Sequence, residues 1–301
     1  MDRFHLLTVF VAVAEEESFA AAARRLALSP PAVTRAVAAL ETHLGVKLLA
    51  RTTRFVRATE VGMHYLAHAR RILTELDEAD DAATGMHGQP RGHLSVTAPA
   101  LFGRMYVMPQ VVAYLRRYPE MTVSTLLLDR LVNLIEEGMD VGIRIGELPD
   151  SGLHAIPVGN IRRVVCATPD YLAAHGTPQY PADLMQHTII ASNTLAAHLD
   201  WAFAEGKSTL SVRLHPRLST STNESAITAA LSGFGIVRQM SYQIAPYLAS
   251  GQLQALLTPY ETAPLPIHVL HREGRQASAR VRSFVDLLVA NLRADERLIA
   301  R

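Results

Sequence analysis

Apolar positions near the start of the chain recur every three or four residues in three consecutive segments. Those of the first two segments are Phe4, Leu7, Phe10, Val11 and Ala14, then Phe19, Ala22, Ala23 and Leu26. Those of the third segment are Val33, Val37, Leu40 and Leu44. This spacing predicts three short helices that each bury one face.

The third predicted helix carries start and stop signals and a face of small side chains. Ser29 can cap its first turn, Pro30 suits the first helical position, and Gly45 suits the left-handed position after the last turn. The face opposite the apolar stripe presents Ala32, Thr34, Arg35, Ala38 and Ala39. Two helices joined by a tight turn, the second with small residues outward, are typical of a helix-turn-helix whose second helix enters a DNA groove.

A basic segment follows the third helix. Residues 46–59, VKLLARTTRFVRAT, alternate and turn as a β-hairpin does, with Arg51 and Arg54 near the tip. A basic hairpin beside such a helix forms a wing that grips phosphates or the minor groove. Core helices with a solvated basic face are the alternative interpretation. We favour DNA binding because the helix spacing, the hairpin and a local positive charge coincide in one segment.

Charge is unevenly distributed along a chain whose 29 basic and 28 acidic residues leave a net charge of +1. Between Ser18 and Ile72, nine arginine or lysine residues stand against the two acids Glu41 and Glu60, a local charge of about +7. An acidic run follows directly in residues 75–81. The basic segment is therefore a candidate polyanion-binding face that ends near residue 72.

The segment from Thr59 to about Gly85 has apolar residues at heptad-like spacing. They are Tyr65, Ala69, Ile72, Leu76, Ala79 and Ala83. With Thr59 as N-cap, this pattern predicts one long helix with a seam for a second helix. His64 and His68 have a spacing that suits a metal, but no third ligand follows, and we predict no metal site. GMHGQPRGH, residues 85–93, is typical of a hinge.

From His93 onward the pattern changes to short apolar strands separated by helical segments. The predicted strands are HLSVTA, TVSTLLL, VGIRIG, RRVVCA, TIIAS and IHVLH. The helical patterns between them include LFGRMYVMPQVVAYLRRY and RLVNLIEEG. Alternating strands and helices predict an α/β fold with largely parallel sheets, which bind ligands beyond the carboxyl ends of their strands.

Residues 1 to about 88, with FAAAARRLALSPPAVTRAVAALETHLGVKLLARTTRFVRATEVGMHYLAHARRIL, resemble the winged helix-turn-helix and linker helix of LysR-type transcriptional regulators. The resemblance is long and nearly gapless, and the rest of the chain fits the family's length and domain order. It implies DNA contacts at Ser29, Pro30, Ala32, Thr34 and Arg35 of the recognition helix and at Arg51, Thr52 and Arg54 of the wing. Pro30 stands where many members have a hydrogen-bonding side chain such as Gln, which shifts the readout toward Thr34, Arg35 and DNA shape.

The resemblance also implies the organisation of the chain. A winged helix-turn-helix of all-α character (residues 1–58) and a linker or dimerisation helix (59–88) precede an effector-binding domain (91–301). That domain consists of two α/β subdomains resembling periplasmic binding proteins, subdomain I with residues 91–161 and 267–301 and subdomain II with 162–266. Linker helices pair antiparallel in the family, so a homodimer would read an inverted repeat and pair again into a homotetramer.

Two predicted junctions between strand and helix carry the ligand prediction. After HLSVT, residues 98–102 open a helix whose first N–H groups are unpaired, which suits an organic anion. In LSTSTNESAIT, Ser221 and Glu224 predict a capping box at the start of a second helix, and the resemblance places both starts at the cleft between two lobes. Ala98, Pro99 and Ala100 stand where several members have a Ser or Thr, so backbone N–H groups would hold the ligand. The predicted effector-binding residues are Pro99, Ala100, Leu101, Phe102, Asp129, Gly146, Glu147, Ser192, Asn193, Thr222 and Asn223.

Several classes of protein are excluded by what the sequence lacks. It has no run of 18 or more apolar residues and no basic-then-apolar leader, so we expect a cytoplasmic protein. Its single cysteine, Cys166, is expected to be a buried apolar side chain, with a redox switch as the alternative. No GxSxG, GxxxxGK, GxGxxG or CxxC motif occurs, so we predict neither enzymatic activity nor a cofactor.

Two other binding classes were weighed against a ligand-controlled regulator. A solute-binding protein would share the α/β half but would carry a secretion signal and no helix-turn-helix. An architectural DNA-binding protein without a ligand is the closer alternative, and flat affinity across DNA sequences would support it. We therefore predict a sequence-specific transcriptional regulator that a small-molecule effector controls.

Overall fold

The computed structural model describes residues 2–51, 56–83, 89–148, 152–192, 198–206, 208–272 and 277–299 of the 301-residue chain. Contacts within the chain divide it into two compact units, residues 1–93 and 94–301. The first unit is helical with one hairpin, and the second is built on two five-stranded sheets. No helix within those ranges is long and apolar enough to cross a membrane.

The described part of the first unit contains four helices and a hairpin. They are α1 (Arg3–Glu16), α2 (Phe19–Arg25), α3 (Pro30–Leu44), β1 (Leu49–Arg51), β2 (Val56–Ala58) and α4 (Glu60–Ala83). β1 and β2 pair antiparallel, with Leu49 opposite Ala58. The helix-turn-helix and the hairpin predicted from the apolar spacing are thus confirmed.

The apolar stripe of α3 forms the centre of this unit. Val33 and Val37 are fully buried and belong to the same core cluster as Phe10 of α1. Burial of side chains of this size stabilises the fold by roughly 1.5–3 kcal/mol each. Gly45 ends α3 in the left-handed region with φ +71°, as predicted.

The start of α3 differs from the prediction. Ser29 is the N-cap residue, but its hydroxyl accepts no hydrogen bond from the first turn. Pro30 and Pro31 occupy the first two helical positions and have no N–H group. The next donor, the Ala32 N–H, bonds to the Ser29 carbonyl oxygen at 2.9 Å. The predicted side-chain cap is therefore wrong, because the two prolines leave the hydroxyl no donor.

The predicted seam of α4 begins inside this unit. Tyr65 lies against Phe10, with ring centroids 5.7 Å apart, and Ala69 is only 1% exposed. Both residues belong to the core cluster that includes α1. The prediction that these two positions pack against a second helix of a partner chain is therefore wrong, because α1 of the same chain covers them. Ile72, the next predicted seam residue, is exposed.

The first sheet of the second unit has the strand order β4-β3-β5-β14-β6. Its strands are β3 (Gly92–Ala98), β4 (Met121–Leu127), β5 (Val141–Ile145), β6 (His154–Ile161) and β14 (Leu265–His271). Helix α5 (Ala100–Phe102) continues through a π-helical turn (Gly103–Val107) into α6 (Met108–Arg117), and α10 (Ala279–Ala294) packs against α6 and β6. We call this sheet with its helices the first lobe.

The second sheet has the strand order β11-β8-β12-β7-β13. Its strands are β7 (Arg163–Ala167), β8 (Ile189–Ser192), β11 (Leu218–Thr220), β12 (Ile236–Met240) and β13 (Gln254–Leu256). The other elements are α7 (Pro169–His175), the hairpin β9 (Leu199–Glu205) with β10 (Ser208–Leu214), α8 (Asn223–Leu231) and α9 (Ser241–Ala249). We call this group the second lobe.

Both sheets are mixed, so the prediction of largely parallel sheets is wrong in part. β3 and β5 are parallel, as are β8 and β12, but β7 and β14 run antiparallel to both of their neighbours. Parallel neighbours need a crossover connection, usually a helix. β7 and β14 have no such crossover, because each is connected to a strand of the other lobe. Arg162 joins β6 to β7, and residues 257–264 join β13 to β14.

Two local predictions in the second unit are also wrong. RLVNLIEEG, residues 130–138, forms an irregular stretch and a turn over 134–138 rather than a helix; the Asn133 side chain accepts the Ile135 N–H at 3.1 Å at the start of this turn. At α8 the cap is Thr222 instead of Ser221. Thr222 lies directly before the helix, and its hydroxyl accepts the Ser225 N–H at 3.2 Å.

Candidate nucleic-acid interface and ligand cavity

α3 exposes a row of residues opposite its buried stripe. These are Ser29, Pro30, Pro31, Thr34, Arg35 and Ala38. All the predicted recognition residues except Ala32 are in this row, and Ala32 is half-buried. The structure adds Pro31 and Ala38 to the surface. Such small side chains allow a helix backbone to approach the floor of a DNA groove closely.

Thr34 and Arg35 present different chemistry on this surface. The Thr34 hydroxyl donates to the Pro30 carbonyl oxygen at 3.0 Å. Thr34 therefore offers a methyl group and an acceptor oxygen, which suit a thymine methyl or an exocyclic base amine. Arg35 is exposed and makes no ion pair with an acid in the described ranges. Its guanidinium can donate to guanine O6 and N7.

Glu41 fixes the hairpin to α3. Its carboxylate is only 3% exposed and accepts the N–H groups of Leu48 and Leu49, each at 3.1 Å, and the Lys47 ammonium at 2.7 Å. Burial raises the pKa of this carboxyl, but the Lys47 ammonium and the two N–H groups outweigh that effect and hold the pKa below its ordinary value. The recognition helix itself therefore positions the start of the wing.

The same hairpin residues contact the start of α4. The Thr59 hydroxyl donates to the Lys47 carbonyl oxygen at 2.9 Å and accepts the Gly62 N–H at 2.9 Å, which confirms the predicted N-cap. A Cβ atom on Gly62 would lie 1.9 Å from the Leu48 carbonyl oxygen, so only glycine permits this close approach. We call Glu41, residues 47–49, Thr59 and Gly62 the α3–hairpin–α4 joint.

Part of the predicted basic charge is neutralised by an acid that precedes the counted segment. Glu15 contacts Arg25 at 2.7 Å and Arg70 at 2.9 Å. Arg24, at the end of α2, is exposed and forms no ion pair within the described ranges. The positive face is therefore narrower than the sequence count indicates, and Arg24 and Arg35 are its uncompensated charges on α2 and α3.

The wing predictions fall largely outside the described residues. Arg51 ends β1, where it is paired with Val56 of β2. Thr52 and Arg54 lie between residues 51 and 56, which the structure does not describe. Their DNA contacts stay predictions that rest on the family resemblance.

A cavity of about 430 Å³ opens in the second unit between its two lobes. In the first lobe it is bounded at the carboxyl ends of β3 and β5, which are parallel neighbours. In the second lobe it is bounded at the carboxyl ends of β8 and β12, which are also parallel. The sequence predicted a ligand site at such strand ends.

Four of the predicted effector-binding residues line this cavity: Pro99, Asp129, Ser192 and Asn223. Glu147 lines an adjoining cavity of about 180 Å³ that shares Pro99 and Asp129. Gly146 and Thr222 lie outside both linings. Asn193 is among the residues that the structure does not describe.

The first turn of α5 faces the core instead of the cavity. Leu101 and Phe102 are buried in the main apolar cluster, and Ala100 is outside both cavity linings. The Phe102 ring packs on Tyr106 at 4.8 Å and on Tyr242 at 5.4 Å between centroids. Tyr242 lines the cavity. Phe102 therefore supports the cavity wall from behind and does not reach the space itself.

The helix start at Ala100 already has a carboxylate of the chain bound to it. The Ala100 N–H donates to Asp129 Oδ1 at 2.9 Å, and Asn223 Nδ2 donates to Asp129 Oδ2 at 3.1 Å. One of the first N–H groups of this helix, on which the sequence predicts an organic anion, is thus already bound by Asp129, which disfavours an anion at that group. The bond to Asn223 also joins the two lobes across the cavity.

Two arginines that the sequence analysis did not identify lie in the cavity wall. Arg163 and Arg238 are on neighbouring antiparallel strands, and their side chains share a face because Val165 is the residue opposite Arg238. The Arg238 guanidinium lies 4.7 Å from the Trp201 ring centroid and donates to the Ala202 carbonyl oxygen at 3.2 Å. Burial lowers the pKa of Arg163; burial and the Arg163 charge lower that of Arg238 to about 10. Both stay protonated at neutral pH.

Gln239 is a further cavity residue that the sequence analysis did not identify. It is 3% exposed, and its Nε2 atom has no hydrogen-bond partner among the residues that the structure describes. The available signal was the polar pair Arg238 and Gln239 inside the apolar strand IVRQM. Polar residues in such a strand are informative, because a buried polar group is expected to have a partner.

Cys166 lies inside β7 and is fully buried. Burial raises the pKa of its thiol to about 12, so the thiol keeps its proton at neutral pH. The predicted buried position is confirmed. The protonated and inaccessible thiol disfavours the alternative of a redox switch, since the thiolate is the reactive form.

Two family models match the chain, one in each unit. Residues 4–63 match the bacterial regulatory helix-turn-helix protein of the lysR family, and residues 87–293 match the LysR substrate binding domain. The chain belongs to the LysR family of transcriptional regulators. It is therefore a DNA-binding transcriptional regulator with a substrate-binding domain, as the sequence predicted.

Individual LysR-family proteins are similar over nearly the full length. The transcriptional regulator CrgA of Neisseria meningitidis serogroup B is 35% identical over 287 residues, which cover 95% of this chain and 96% of CrgA. The probable regulator LtrA of Klebsiella pneumoniae is 32% identical over 285 residues, which cover 94% and 92%. The solved structure of CrgA, titled a LysR-type transcriptional regulator, superposes with a TM-score of 0.61 at 36% identity and covers 96% of this chain and 98% of CrgA.

Proposed function

We propose that this LysR-type regulator binds a promoter through α3 and the β1–β2 wing and responds to a small molecule in the cavity of its second unit. Recognition helices enter successive major grooves while the wings contact the backbone. The exposed face of α3 is the observation that supports this most, because Arg35 and Thr34 offer a donor and an acceptor to base edges. The proposal includes no catalysis and no cofactor.

We further propose the domain division 1–58, 59–88 and 91–301, with lobes 91–161 plus 267–301 and 162–266. The paths between the sheets support it. The chain leaves the first sheet after Ile161 and enters the second at Arg163. It returns into β14 at Leu265, two residues before the proposed boundary.

A homodimer through α4 and a homotetramer through the second unit complete the proposal. Val61, Met63 and Ile72 of α4 are large apolar side chains that are exposed, which supports a partner surface on this helix. Two heads held by paired α4 helices would read the half-sites of an inverted repeat. Such a protein acts on chromosomal DNA and would therefore work in the cytoplasm.

Ligand control would operate through the two lobes. A ligand changes the distance between the DNA-binding units of a dimer only if it binds one arrangement of the two lobes more tightly than the other. The Asp129–Asn223 hydrogen bond lies across the cavity and would be kept or broken by a ligand beside it. A change in the angle between heads would then alter DNA bending and polymerase access.

A gel shift tests the DNA-binding proposal. The full-length protein is titrated onto the intergenic DNA beside its own gene and onto a scrambled sequence of equal length, at the same near-physiological salt. Tight, competitor-resistant binding to the intergenic DNA alone is expected. Equal and salt-sensitive binding to both sequences would favour the architectural alternative.

Two arginine variants separate base reading from phosphate contact. Arg35→Ala is expected to cost roughly 1–3 kcal/mol on the intergenic site and to relax specificity at one base pair. Arg54→Ala is expected to weaken binding to every sequence alike and to lower the salt slope by about one. Equal losses on the intergenic and scrambled DNA for Arg35→Ala would refute its role in base reading.

A further inference from the structure

The cavity wall carries two positive charges without an acidic partner. Among the described residues, four charged side chains line it: Arg163, Arg238, Asp129 and Asp200. Asp200 is paired with Arg213 at 3.1 Å, outside the cavity lining, and Asp129 holds the start of α5. Within the described ranges, neither cavity arginine makes an ion pair. Two half-buried guanidinium groups that lack a carboxylate favour an anion from outside the chain.

Gln239 borders the same cavity but does not share the face of the two arginines. It is paired with Val164, so its side chain lies on the other face of the sheet from Arg163 and Arg238. Its Nε2 group is also fully buried, so an acceptor atom of a ligand beside the arginines does not reach it. The anion is therefore assigned to the two arginines alone.

The remaining lining indicates an organic molecule. It includes the large apolar or aromatic side chains Ile145, Ile190, Leu199, Trp201 and Tyr242. A cavity of about 430 Å³ with such walls suits a small apolar body that carries one or two polar groups. A carboxylate fits the planar guanidinium fork, because two parallel N–H groups can donate to its two oxygens.

We propose that the effector of this regulator is a small organic carboxylate whose anionic group is held by Arg163 and Arg238 and whose body lies against Trp201 and Tyr242. This rests on the proposed function, because it names the ligand class of the same cavity. It places the anion at the ends of the second-lobe strands instead of at the start of α5, where Asp129 already lies.

Trp201 provides the readout, because it is the only tryptophan in the chain and lines the cavity. The full-length protein, without DNA, is titrated with benzoate, with the neutral isostere benzamide and with phenyl phosphate, while Trp201 fluorescence is recorded. Saturable binding of benzoate is expected, with benzamide at least about tenfold weaker. Equal affinity for benzamide, or no saturable binding of benzoate, would overturn the proposal. Tighter binding of phenyl phosphate would overturn the choice of a carboxylate.

Three variants place the anion within the cavity. Arg163→Gln and Arg238→Gln are each expected to weaken benzoate binding about tenfold and to leave benzamide unchanged. Arg217→Gln is the control, because Arg217 is an exposed arginine of the same lobe outside the cavity lining. An equal loss in Arg217→Gln would contradict the assignment. Since Arg238 also contacts Trp201, calorimetric titration measures its affinity independently, and Arg163→Gln provides the test if Arg238→Gln does not fold.

A negative result in the DNA assay and a negative result in the ligand assay have different consequences. Benzoate binding without selective binding to the intergenic DNA would leave the carboxylate site standing and remove the proposed regulatory function. Selective DNA binding together with equal affinity for benzoate and benzamide would do the reverse.

Discussion

The two units differ in whether their buried polar groups have hydrogen-bond partners on the same chain. In the first unit, the Glu41 carboxylate is surrounded by three donors of its own chain, from Lys47, Leu48 and Leu49. In the second unit, Gln239 has a buried donor without an acceptor, and two arginines beside it lack an acid. A buried group with partners on its own chain fixes a geometry in advance. Guanidinium groups that lack such partners leave part of the structure to be completed by a ligand.

This difference agrees with what each unit has to do. The recognition helix and wing must present a fixed shape to DNA, and the α3–hairpin–α4 joint provides it through several hydrogen bonds and one close backbone approach. The cavity has to respond to its occupant, and the Asp129–Asn223 bond that spans it is a single contact of 3.1 Å between neutral amide and carboxylate. Breaking one hydrogen bond to an exposed carboxylate costs about 1.5 kcal/mol, the low end of the range for bonds to a charged group.

The contrast between the two units depends most on Glu41, so replacing Glu41 is expected to have the largest effect on stability. Glu41→Leu removes the acceptor of two buried N–H groups, so a loss of about 3 kcal/mol in the stability of the first unit is expected. Urea unfolding is followed by circular dichroism, which reports the helices of both units, and by Trp201 fluorescence, which reports the second unit alone. Only the part of the circular dichroism transition without a fluorescence counterpart should move. DNA affinity should fall with it, because the wing loses its anchor.

The control for Glu41 is its exposed neighbour on α3. Thr42→Leu should change stability by no more than about 0.5 kcal/mol. The pKa of Glu41 is lowered in the folded chain, so its contribution is present above the ordinary value of 4.5 and is lost as the pH falls through the folded-state value. Wild type and Glu41→Leu should therefore converge in stability in acid, and a constant difference down to low pH would contradict the assignment.

Gly62 tests the backbone contact of the same joint. Gly62→Ala places a Cβ atom against the Leu48 carbonyl oxygen, and the required shift is expected to cost roughly 1–3 kcal/mol. Gly152→Ala is the matched control, because a Cβ there meets no atom within 4 Å. Amide hydrogen exchange in α3 and α4 measures the effect. Unchanged protection in Gly62→Ala would mean that the close approach is not needed.

The first unit was largely predictable from sequence, and the cavity was not. The stripe Val33, Val37, Leu40 and Leu44 carries the helix period, and Gly45 directly after it marks the helix end, so local pattern determines this structure. Arg163 and Arg238 become neighbours only when β7 and β12, 75 positions apart, pair antiparallel. The β9–β10 hairpin was missed because its strands mix apolar with charged and small residues. Asp129 was predicted in the lining, but local pattern could not indicate that its carboxylate occupies the helix start.

Asn223 sharpens the comparison within the second unit. Asn223→Ala removes the bond to Asp129, while Asp129 keeps the Ala100 N–H, so a loss of about 1.5 kcal/mol in the Trp201 transition is expected. The response of DNA binding to benzoate should change, and DNA affinity without ligand should not. Asn291→Ala, at an exposed asparagine of α10, is the matched control. If every candidate ligand acts as on wild type, Asn223 has no role in the response.

Gln239 gives the smallest effect on stability and the most direct test of the comparison. Gln239→Leu replaces a buried donor that has no acceptor with an apolar group of similar size, so stability should stay within about 0.5 kcal/mol of wild type or rise. Gln243, four residues on, is equally buried, but its side chain accepts the Met240 N–H at 2.9 Å. Gln243→Leu should therefore destabilise the Trp201 transition by roughly 1–3 kcal/mol. A destabilised Gln239→Leu would mean that this amide has a structural partner, and the contrast between the two units would then rest on the arginines alone.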